Sequence, residues 1–276
     1  MTDNASQRRS KAYRLAVLDP DFLLGDSLRG VRLLLEFTKA EERLRQWGIH
    51  STVVVFGSAR NERPPPGAGR AVGAPMPAVA RHDWWYEEAR RFAAIVSQRG
   101  GAMRSRGMRE NVIATGGGPG LMEAANRGAF EAGAPSIGFN IDLPEEQEPN
   151  PYTTPELTFR FHSFAIRKMH LAMRASALVA FPGGFGTLDE LFEILTLVQA
   201  KKMPPVAIVC FDRSYWTRVI NFDALIDAGM ISRSDFELLT FADDAEEAWE
   251  ALVTRGLRTR ASATHPKRRL SDRADV

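Results

Sequence analysis

The stretch ALVAFPGGFGTLDELFEILTLVQAKKMPPVAIVCF, residues 177–211, contains two short apolar runs separated by a glycine-rich turn and a longer segment. The runs ALVAFP and PVAIVCF have the length and composition of strands that are buried on both faces. The segment TLDELFEILTLVQAKK between them is interpreted as a helix. A strand, a helix and a second strand in this order are typical of a parallel sheet, so the stretch predicts an α/β fold.

The same alternation of strand-like and helix-like segments extends over most of the chain. The strand-like runs are apolar or β-branched, as in STVVVFGSAR from Ser51 and ENVIATGGG from Glu110. Only helices are predicted after Phe211, around Trp216–Gly229 and Asp244–Gly256. The remaining segments are the strands SIGFN and LTFRF and the helices WWYEEARRFAAIVSQRG, PGLMEAANRGAFEAG and HSFAIRKMHLAMRAS. We therefore expect one parallel sheet flanked by helices.

Composition divides the chain into one domain and two polar ends. The start, MTDNASQRRSK, is interpreted as part of a disordered leader over residues 1–25, and the basic stretch 258–276 as a disordered tail. The domain between them, 26–257, contains an insertion rich in proline and glycine at about 61–82.

A further helix is predicted from Asp26 to Gly48, ahead of the first strand. Its apolar residues recur at helical intervals, and Gly48 stands where such a helix would end. The recurring residues are Leu28, Val31, Leu34, Leu35 and Leu44. We expect this apolar face to lead the helix into the core.

Charge and composition exclude several classes of function. Apolar residues make up 44% of the chain and charged residues 25%, which supports a sizeable core. The net charge is only +2 and the basic excess lies in the tail, so no nucleic-acid partner is expected. No run approaches the roughly 18 to 20 apolar residues of a membrane helix, and Cys210 is the only cysteine, so we expect a cytoplasmic protein. The five histidines show no metal-ligand spacing, and no metal is predicted.

Glycine-rich loops follow three of the predicted strands. In parallel α/β sheets, ligands bind outside the carboxyl ends of the strands, so these loops should converge on one cleft. The loops contain Gly57 and Ser58; Gly116, Gly117 and Gly118; and Gly183, Gly184, Gly186 and Thr187.

The third of these loops, FPGGFGTLDE (181–190), has two interpretations. Thr187 and Glu190 have the spacing of a capping box, which would make Glu190 structural. The glycines favour an anion site instead, because glycine lets several backbone N–H groups approach a phosphate at a helix N-terminus. With a phosphate there, Glu190 would lie one turn, about 5 Å, deeper. We expect the helix N-terminus to hold Glu190 ionised, suited to stabilising a cation at the anomeric carbon or to activating water.

Two further segments have both structural and binding interpretations. The adjacent Arg167 and Lys168 are either a solvated basic pair or cations that grip a phosphate or ribose beside the glycine loop. The run GGGPGLME is either a tight strand-to-helix turn or an imperfect dinucleotide fingerprint. With Asp142 as the acid that binds ribose, the latter would make an NAD site, which we keep as a minor alternative.

Taken together, these segments resemble the lonely guy family of cytokinin-activating nucleoside 5′-monophosphate phosphoribohydrolases, long labelled lysine decarboxylases. The resemblance extends from about Val55 to Val209. Its combined PGGxGTxxE and RK pattern is specific, unlike any single glycine run. The N-terminal helix and a long loop resemble the larger bacterial subgroup. The matching segments are VFGSAR, TGGGPGLMEAANRGA, IGFNIDLPEEQEPNPY, the RK pair and PGGFGTLDEL.

The resemblance implies a single-domain, Rossmann-like, doubly wound sheet and a homo-oligomer. It also implies hydrolysis of the N-glycosidic bond of a purine nucleoside monophosphate, AMP or an N6-modified AMP, without a metal or an organic cofactor. Arg167 and Glu190 would be catalytic. Gly183, Gly184, Gly186 and Thr187 would hold the phosphate, and Gly57, Ser58, Gly116, Gly117, Gly118, Glu123 and Lys168 would contact the nucleotide.

Two departures and two alternatives accompany this resemblance. The insertion at 61–82 and the basic loop at 101–109 are longer than the family pattern. A nucleotide carrier or sensor without catalysis is the alternative function, although a pure binder needs no carboxylate beside the anomeric carbon. Decarboxylation is disfavoured, because no pyridoxal phosphate pattern surrounds Lys168, Lys201 or Lys202.

Overall fold

The computed structural model describes residues 3–61, 78–104, 107–143 and 148–259, and its centre is one sheet of seven parallel strands. The strands are β1 (Thr52–Phe56), β2 (Val112–Thr115), β3 (Ser136–Ile141), β4 (Thr158–Phe161), β5 (Ala175–Ala180), β6 (Ala207–Phe211) and β7 (Leu239–Ala242). The longer helices are α3 (Arg29–Gln46), α4 (Ala78–Gly100), α5 (Leu121–Glu131), α6 (Phe164–Met173), α7 (Phe185–Gln199) and α11 (Ala245–Thr254). Shorter ones are α1 (Ala5–Arg9), α2 (Pro20–Leu23), α8 (Arg213–Val219), α9 (Phe222–Asp227) and α10 (Arg233–Phe236).

The order of the strands places a reversal at the middle of the sheet. The order is β4-β3-β2-β1-β5-β6-β7, and each neighbouring pair is parallel. The chain runs outward from β1 to β4 and then returns to the other side of β1 with β5. The connections that leave β1 and β5 therefore lead to helices on opposite faces of the sheet, and a crevice forms between them. The predicted doubly wound, Rossmann-like α/β fold is confirmed.

Helices cover both faces of the sheet, and each face has its own apolar layer. One layer contains residues from α3, α6, α7 and α8, among them Leu44, Leu171 and Trp216. The other layer contains residues from α4, α5 and α11, among them Phe92 and Trp249. Both faces of the central strands are thus buried, which explains their continuous apolar sequences.

The last strand, β7, is a correction to the sequence analysis, which predicted only helices after Phe211. It pairs along β6, from Ile208 with Leu239 to Phe211 with Ala242. The four residues LTFA are too short to show alternation, and the pairing with β6 makes them a strand.

The N-terminal helix α3 also differs from its prediction. Only its C-terminal half enters the core, where Ala40 and Leu44 are buried. The predicted apolar face is otherwise exposed, as at Leu34 and Leu35. Helical periodicity identified the helix but not the half of it that packs, since this depends on where the helix runs past the sheet.

The polar ends and the insertion are only partly described by the structure. Residues 5–28 form short helical segments that bury no side chain, so the leader predicted over 1–25 stays a prediction. Helix α4 begins at Ala78, so the end of the insertion predicted at 61–82 is helical. The rest of that insertion lies outside the described residues, as do two residues of the 101–109 loop and nearly all of the 258–276 tail. No described helix is long and apolar enough to cross a membrane.

Gly128 lets α4 and α5 pack closely. A Cβ at Gly128 would lie 1.9 Å from the carbonyl oxygen of Arg90 in α4, so an added methyl group forces the two backbones apart. We expect Gly128→Ala to lower the free energy of unfolding by about 2–3 kcal/mol. The measurement is urea unfolding followed by circular dichroism.

Gly30→Ala is the matched control, because Gly30 is exposed in α3 and no atom lies within 4 Å of the added Cβ. There the same substitution should stabilise the protein by up to about 1 kcal/mol through helix propensity. Equal effects at the two positions would contradict the close packing of α4 on α5.

Candidate active site

The loops after β1 and β5 are tied together at the reversal of the strand order. The N–H of Phe181 donates to the carbonyl oxygen of Phe56 at 2.8 Å, and the N–H of Ser58 donates to that of Pro182 at 3.0 Å. The N–H of Leu121, at the start of α5, donates to the carbonyl oxygen of Ser58 at 3.1 Å. A cleft of about 1120 Å³ opens at this point. Of the predicted loops, those after β1 and β5 line the cleft, with Gly57, Ser58, Gly183, Gly184, Gly186 and Thr187.

Helix α7 starts inside the glycine loop. Its N-cap is Gly184, and no side chain among the described residues caps it, so the first backbone N–H groups of the helix can meet an anion. Thr187 is already inside the first turn, so the alternative interpretation of Thr187 and Glu190 as a capping box does not hold. A Cβ at Gly183 would lie 2.1 Å from Oγ1 of Thr187, so only glycine fits there. The loop thus brings a buried hydroxyl against the helix N-terminus.

Arg167 and Glu190 form a buried ion pair below this loop. Nη2 of Arg167 lies 3.2 Å from Oε1 of Glu190, and only 12% and 4% of the two side chains are exposed. Burial raises the pKa of Glu190 to about 7, although Arg167 and Lys168 favour its charged form. Burial also lowers the pKa of Arg167. Desolvation thus opposes the effect expected of the helix N-terminus, which was to hold Glu190 ionised.

Only the arginine of this pair lines the cleft. Glu190 does not line the cleft itself, and Arg167, which does, donates a hydrogen bond to its carboxylate. Nε of Arg167 is buried and has no hydrogen-bond partner among the described residues. The pair is therefore incompletely satisfied without a ligand, and a ligand anion would meet the guanidinium first.

The TGGG loop after β2 is shaped by a buried polar network, and its glycines do not line the cleft. The carbonyl oxygen of Gly117 accepts hydrogen bonds from Nδ2 of Asn140 and from the backbone and side chain of Asn150. Gly117 has φ +71, and a Cβ there would overlap the Asn140 side chain. Gly116, Gly117 and Gly118 are all buried. A Cβ at Gly116 would lie 2.9 Å from the sulfur of Met122, which lines the cleft, so the loop affects the site indirectly.

Three other predicted residues lie away from the cleft. Glu123 accepts a hydrogen bond from the hydroxyl of Tyr86 at 3.1 Å, between α5 and α4. Lys168 pairs with Asp189 at 2.7 Å and with Glu193 on the outer side of α7. Asp142, the acid of the alternative NAD site, pairs with Arg160. No group of three metal-ligating side chains occurs in the described parts of the chain.

The sequence analysis missed one wall of the cleft. The hydroxyl of Tyr215 donates to the carbonyl oxygen of Gly183 at 2.7 Å and so fixes the glycine loop from α8. Tyr215 meets Trp85 edge to face, and Nε1 of Trp85 donates to the buried Asp212 at 3.0 Å. No short-range sequence signal joins these residues, because α4 and α8 are brought together only by the sheet.

Helix α6, which carries Arg167, is held by α3 at three points. The contacts are Ser163 N–H to Glu36 Oε2 at 3.1 Å, His170 Nε2 with the Phe37 carbonyl oxygen at 3.1 Å, and Arg174 Nη2 to Glu41 Oε1 at 2.7 Å. They lie on both sides of Arg167 along the helix. The position of Arg167 therefore depends on the N-terminal helix.

Comparison with solved structures gives distant similarities. The structural genomics target TM1055 aligns with a TM-score of 0.48 and 21% identity over 74% of this chain and 99% of its own. A molybdenum cofactor binding protein from Rippkaea orientalis aligns with a TM-score of 0.45 and 18% identity, over 75% of this chain and 95% of its own. At these values the similarities do not bear on function.

Comparison with curated proteins gives plant relatives. "Probable cytokinin riboside 5'-monophosphate phosphoribohydrolase LOG4" of Oryza sativa subsp. japonica is 29% identical over 140 residues, 50% of this chain and 60% of that protein. "Cytokinin riboside 5'-monophosphate phosphoribohydrolase LOG7" of Arabidopsis thaliana is 35% identical over 82 residues, 29% of this chain and 38% of that protein. The chain thus matches less than two thirds of the length of either relative.

A family model described as "Possible lysine decarboxylase" matches residues 122–252, slightly less than half of the chain. The match includes Arg167, the glycine loop and Glu190. The family model, the plant relatives and the PGGxGTxxE and RK motifs agree, and the chain is thus similar to proteins of the lonely guy family.

Proposed function

We propose that this protein hydrolyses the N-glycosidic bond of purine nucleoside 5′-monophosphates, AMP or N6-modified, cytokinin-type AMP. The products are the free base and ribose 5-phosphate. The observation that carries the proposal is the buried Arg167–Glu190 pair beside a cleft at an uncapped helix N-terminus. The activities in the names of the relatives agree with it. We place the reaction in the cytoplasm, because Cys210 is the single cysteine and is buried.

The 5′-phosphate would bind at the start of α7. The free N–H groups of the first turn and the positive end of the helix dipole attract an anion. Gly183 and Gly184 keep side chains out of this space. Thr187 is buried, and its Oγ1 has no hydrogen-bond partner among the described residues. Together these features form a phosphate cradle without a metal.

The scissile bond would then lie near Arg167 and Glu190, one helical turn deeper. Water adds to the anomeric carbon, the C–N bond breaks, its electron pair leaves with the base, and the base takes up a proton. A carboxylate at Glu190 would stabilise the oxocarbenium-like centre or accept the proton of the water. With a pKa of about 7, Glu190 can exchange a proton at neutral pH.

One observation favours a second candidate, a nucleotide carrier or sensor without catalysis. Glu190 does not line the cleft and is bound to Arg167, so a ligand could bind without contact with the carboxylate. Nucleotide binding without turnover would identify this second function.

The direct test is to incubate the purified protein with AMP, GMP, CMP and isopentenyl-AMP and to measure free base by chromatography. We expect base from the purine nucleotides. Glu190→Gln should keep nucleotide binding, since it keeps the shape of the side chain, but should lose about 100-fold or more of the hydrolysis rate.

Glu193→Gln is the matched control for this substitution. Glu193 lies one turn further along α7, contacts Lys168 at 3.3 Å and is partly exposed. Its substitution should leave hydrolysis within about threefold of the wild type. Normal turnover in Glu190→Gln, or no free base from any nucleotide that binds, would contradict the enzymatic proposal.

The raised pKa of Glu190 predicts opposite trends of activity and stability with pH. If the carboxylate is the active form, kcat/KM should rise as the pH increases through about 7. The native state keeps the Glu190 proton between pH 4.5 and 7, where the unfolded chain loses it, so stability should fall over this window. Relative to Glu190→Gln, the wild type should lose up to about 3 kcal/mol. Urea unfolding of both proteins at several pH values measures this difference, and a constant difference would contradict the assignment.

We also propose that the protein forms a homodimer through α6 and α7. These helices are joined by the Arg167–Glu190 and Lys168–Asp189 pairs, and they expose several large apolar side chains. Exposed large apolar side chains on two neighbouring helices favour a protein interface there. The exposed residues are Phe164, Met169, Met173, Phe185 and Phe192.

The double variant Met169→Glu with Phe192→Glu should be monomeric in sedimentation velocity under conditions where the wild type is a dimer. Two carboxylates buried in an apolar interface would make association unfavourable. Val253→Glu, at an exposed position of α11 on the other layer, should leave the assembly unchanged. A monomeric wild type would contradict the proposal.

A further inference from the structure

The peptide between Gly183 and Gly184 lies at the proposed phosphate cradle. Both residues line the cleft, and Gly184 is the N-cap of α7. Since glycine has no Cβ, a peptide between two glycines rotates with less steric hindrance than a peptide between other residues. The glycines that leave room for an anion therefore also leave the orientation of this peptide weakly determined.

The orientation of this peptide decides whether it attracts or repels a phosphate. In a trans peptide the carbonyl oxygen and the N–H point in opposite directions. The N–H of Gly184 makes no hydrogen bond among the described residues, so it can donate to an anion. A rotation by half a turn would put the carbonyl oxygen of Gly183 in the place of this N–H, and the oxygen would repel the phosphate.

Tyr215 fixes the peptide in the first of these two orientations. Its hydroxyl donates to the carbonyl oxygen of Gly183 at 2.7 Å, a bond that rotation of the peptide would break. Partial burial raises the pKa of this hydroxyl above its usual range, so at neutral pH the tyrosine keeps the proton that it donates. The peptide is thus held by a side chain that itself lines the cleft.

Two tryptophans hold Tyr215 from different elements of the fold. The ring of Trp216 meets the tyrosine ring edge to face at 5.4 Å, and its Nε1 donates to the carbonyl oxygen of Ala180 at 3.2 Å. Ala180 is the last residue of β5, the strand that leads into the glycine loop. Trp85 of α4 meets Tyr215 at 5.7 Å. The hydroxyl therefore has a fixed position relative to the loop.

Asp212 joins these supports at the start of α8. Its carboxylate caps the helix by accepting the N–H of Tyr215 at 3.1 Å, and it accepts Nε1–H of Trp85 at 3.0 Å. The hydroxyl of Ser214 is a third donor, at 2.6 Å. Asp212 is buried and has φ +65, a conformation that residues other than glycine rarely adopt. Such strain persists only where the surroundings determine it, and the three donors do so here.

On the proposed function of this cleft as a nucleotide site, we propose that Tyr215, supported by Asp212, is a positioning residue for phosphate binding. It keeps the Gly183–Gly184 peptide with its N–H towards the ligand, and so increases the affinity for the phosphate without contact with the scissile bond. The phosphate is bound equally in the ground state and in the transition state, so this residue affects KM and not kcat.

The test is Tyr215→Phe, which removes the hydroxyl and keeps the ring. By isothermal titration calorimetry, we expect the dissociation constants of AMP and of ribose 5-phosphate to rise about fivefold, the effect of one hydrogen bond. The kcat for release of base should stay within about twofold of the wild type. Tyr86→Phe is the matched control, because the hydroxyl of the buried Tyr86 likewise donates to an oxygen, that of Glu123, but away from the cleft. There both dissociation constants should stay unchanged.

A double-mutant cycle tests the support from Asp212. Asp212→Asn keeps a residue type that tolerates positive φ, but its amide has one acceptor oxygen in place of two. Alone it should raise the dissociation constant of AMP about threefold. In the Tyr215→Phe background it should add less than this, because both changes act through one hydrogen bond. Additive effects would overturn the assignment to Asp212.

The outcomes separate this inference from the proposed function. Unchanged AMP affinity in Tyr215→Phe, with base still released, overturns the positioning role and leaves the hydrolase proposal standing. A loss of affinity for AMP but not for ribose 5-phosphate shows that Tyr215 acts on the base, which also overturns the role. If both affinities fall in the variant but the wild type releases no base, the positioning role stands and the hydrolase proposal fails. If neither ligand binds the wild type, both proposals fail together.

Discussion

The reversal of strand order between β1 and β5 is the constraint on which the rest of the site depends. Two neighbouring parallel strands whose chains leave in opposite directions cannot cover the space above their carboxyl ends. The hydrogen bond from Ser58 to Pro182 closes the floor of that space and sets the two loops against each other. The start of α7 and the cleft follow from this arrangement, and glycine is needed where a side chain would collide, as at Gly183 beside Thr187.

Burial raises the pKa of the acidic group, Glu190, and so affects its chemistry. A helix N-terminus stabilises a carboxylate in its first turn, but Glu190 lies in the second turn and is almost fully buried. Its guanidinium partner offsets part of the desolvation without removing it. The result is a group that changes protonation near neutrality, a property expected of a proton-transfer residue more than of a fixed counter-ion. The same burial places Arg167 between the carboxylate and any ligand.

Sequence reasoning predicted the parallel sheet, six of its seven strands and the loops after β1 and β5, because buried strands and glycine turns have strong local signals. It did not predict β7, whose four residues become a strand only beside β6. It also placed Gly117 and Glu123 at the nucleotide, whereas Gly117 is enclosed by Asn140 and Asn150 and Glu123 faces Tyr86. The wall formed by Trp85 and Tyr215 could not be predicted, since these contacts arise from tertiary packing between distant helices.

Helix α3 lies outside the family motifs, and yet its side chains grip α6 before and after Arg167. Coupling free energies are reciprocal, so if the contacts with α3 help to hold Arg167 for a ligand, a ligand that immobilises Arg167 tightens the attachment of α3 by the same amount. Ligand binding in the cleft should therefore slow amide hydrogen exchange in the C-terminal half of α3. The N-terminal helix is then a reporter on the state of the site, although it contributes no residue to its lining.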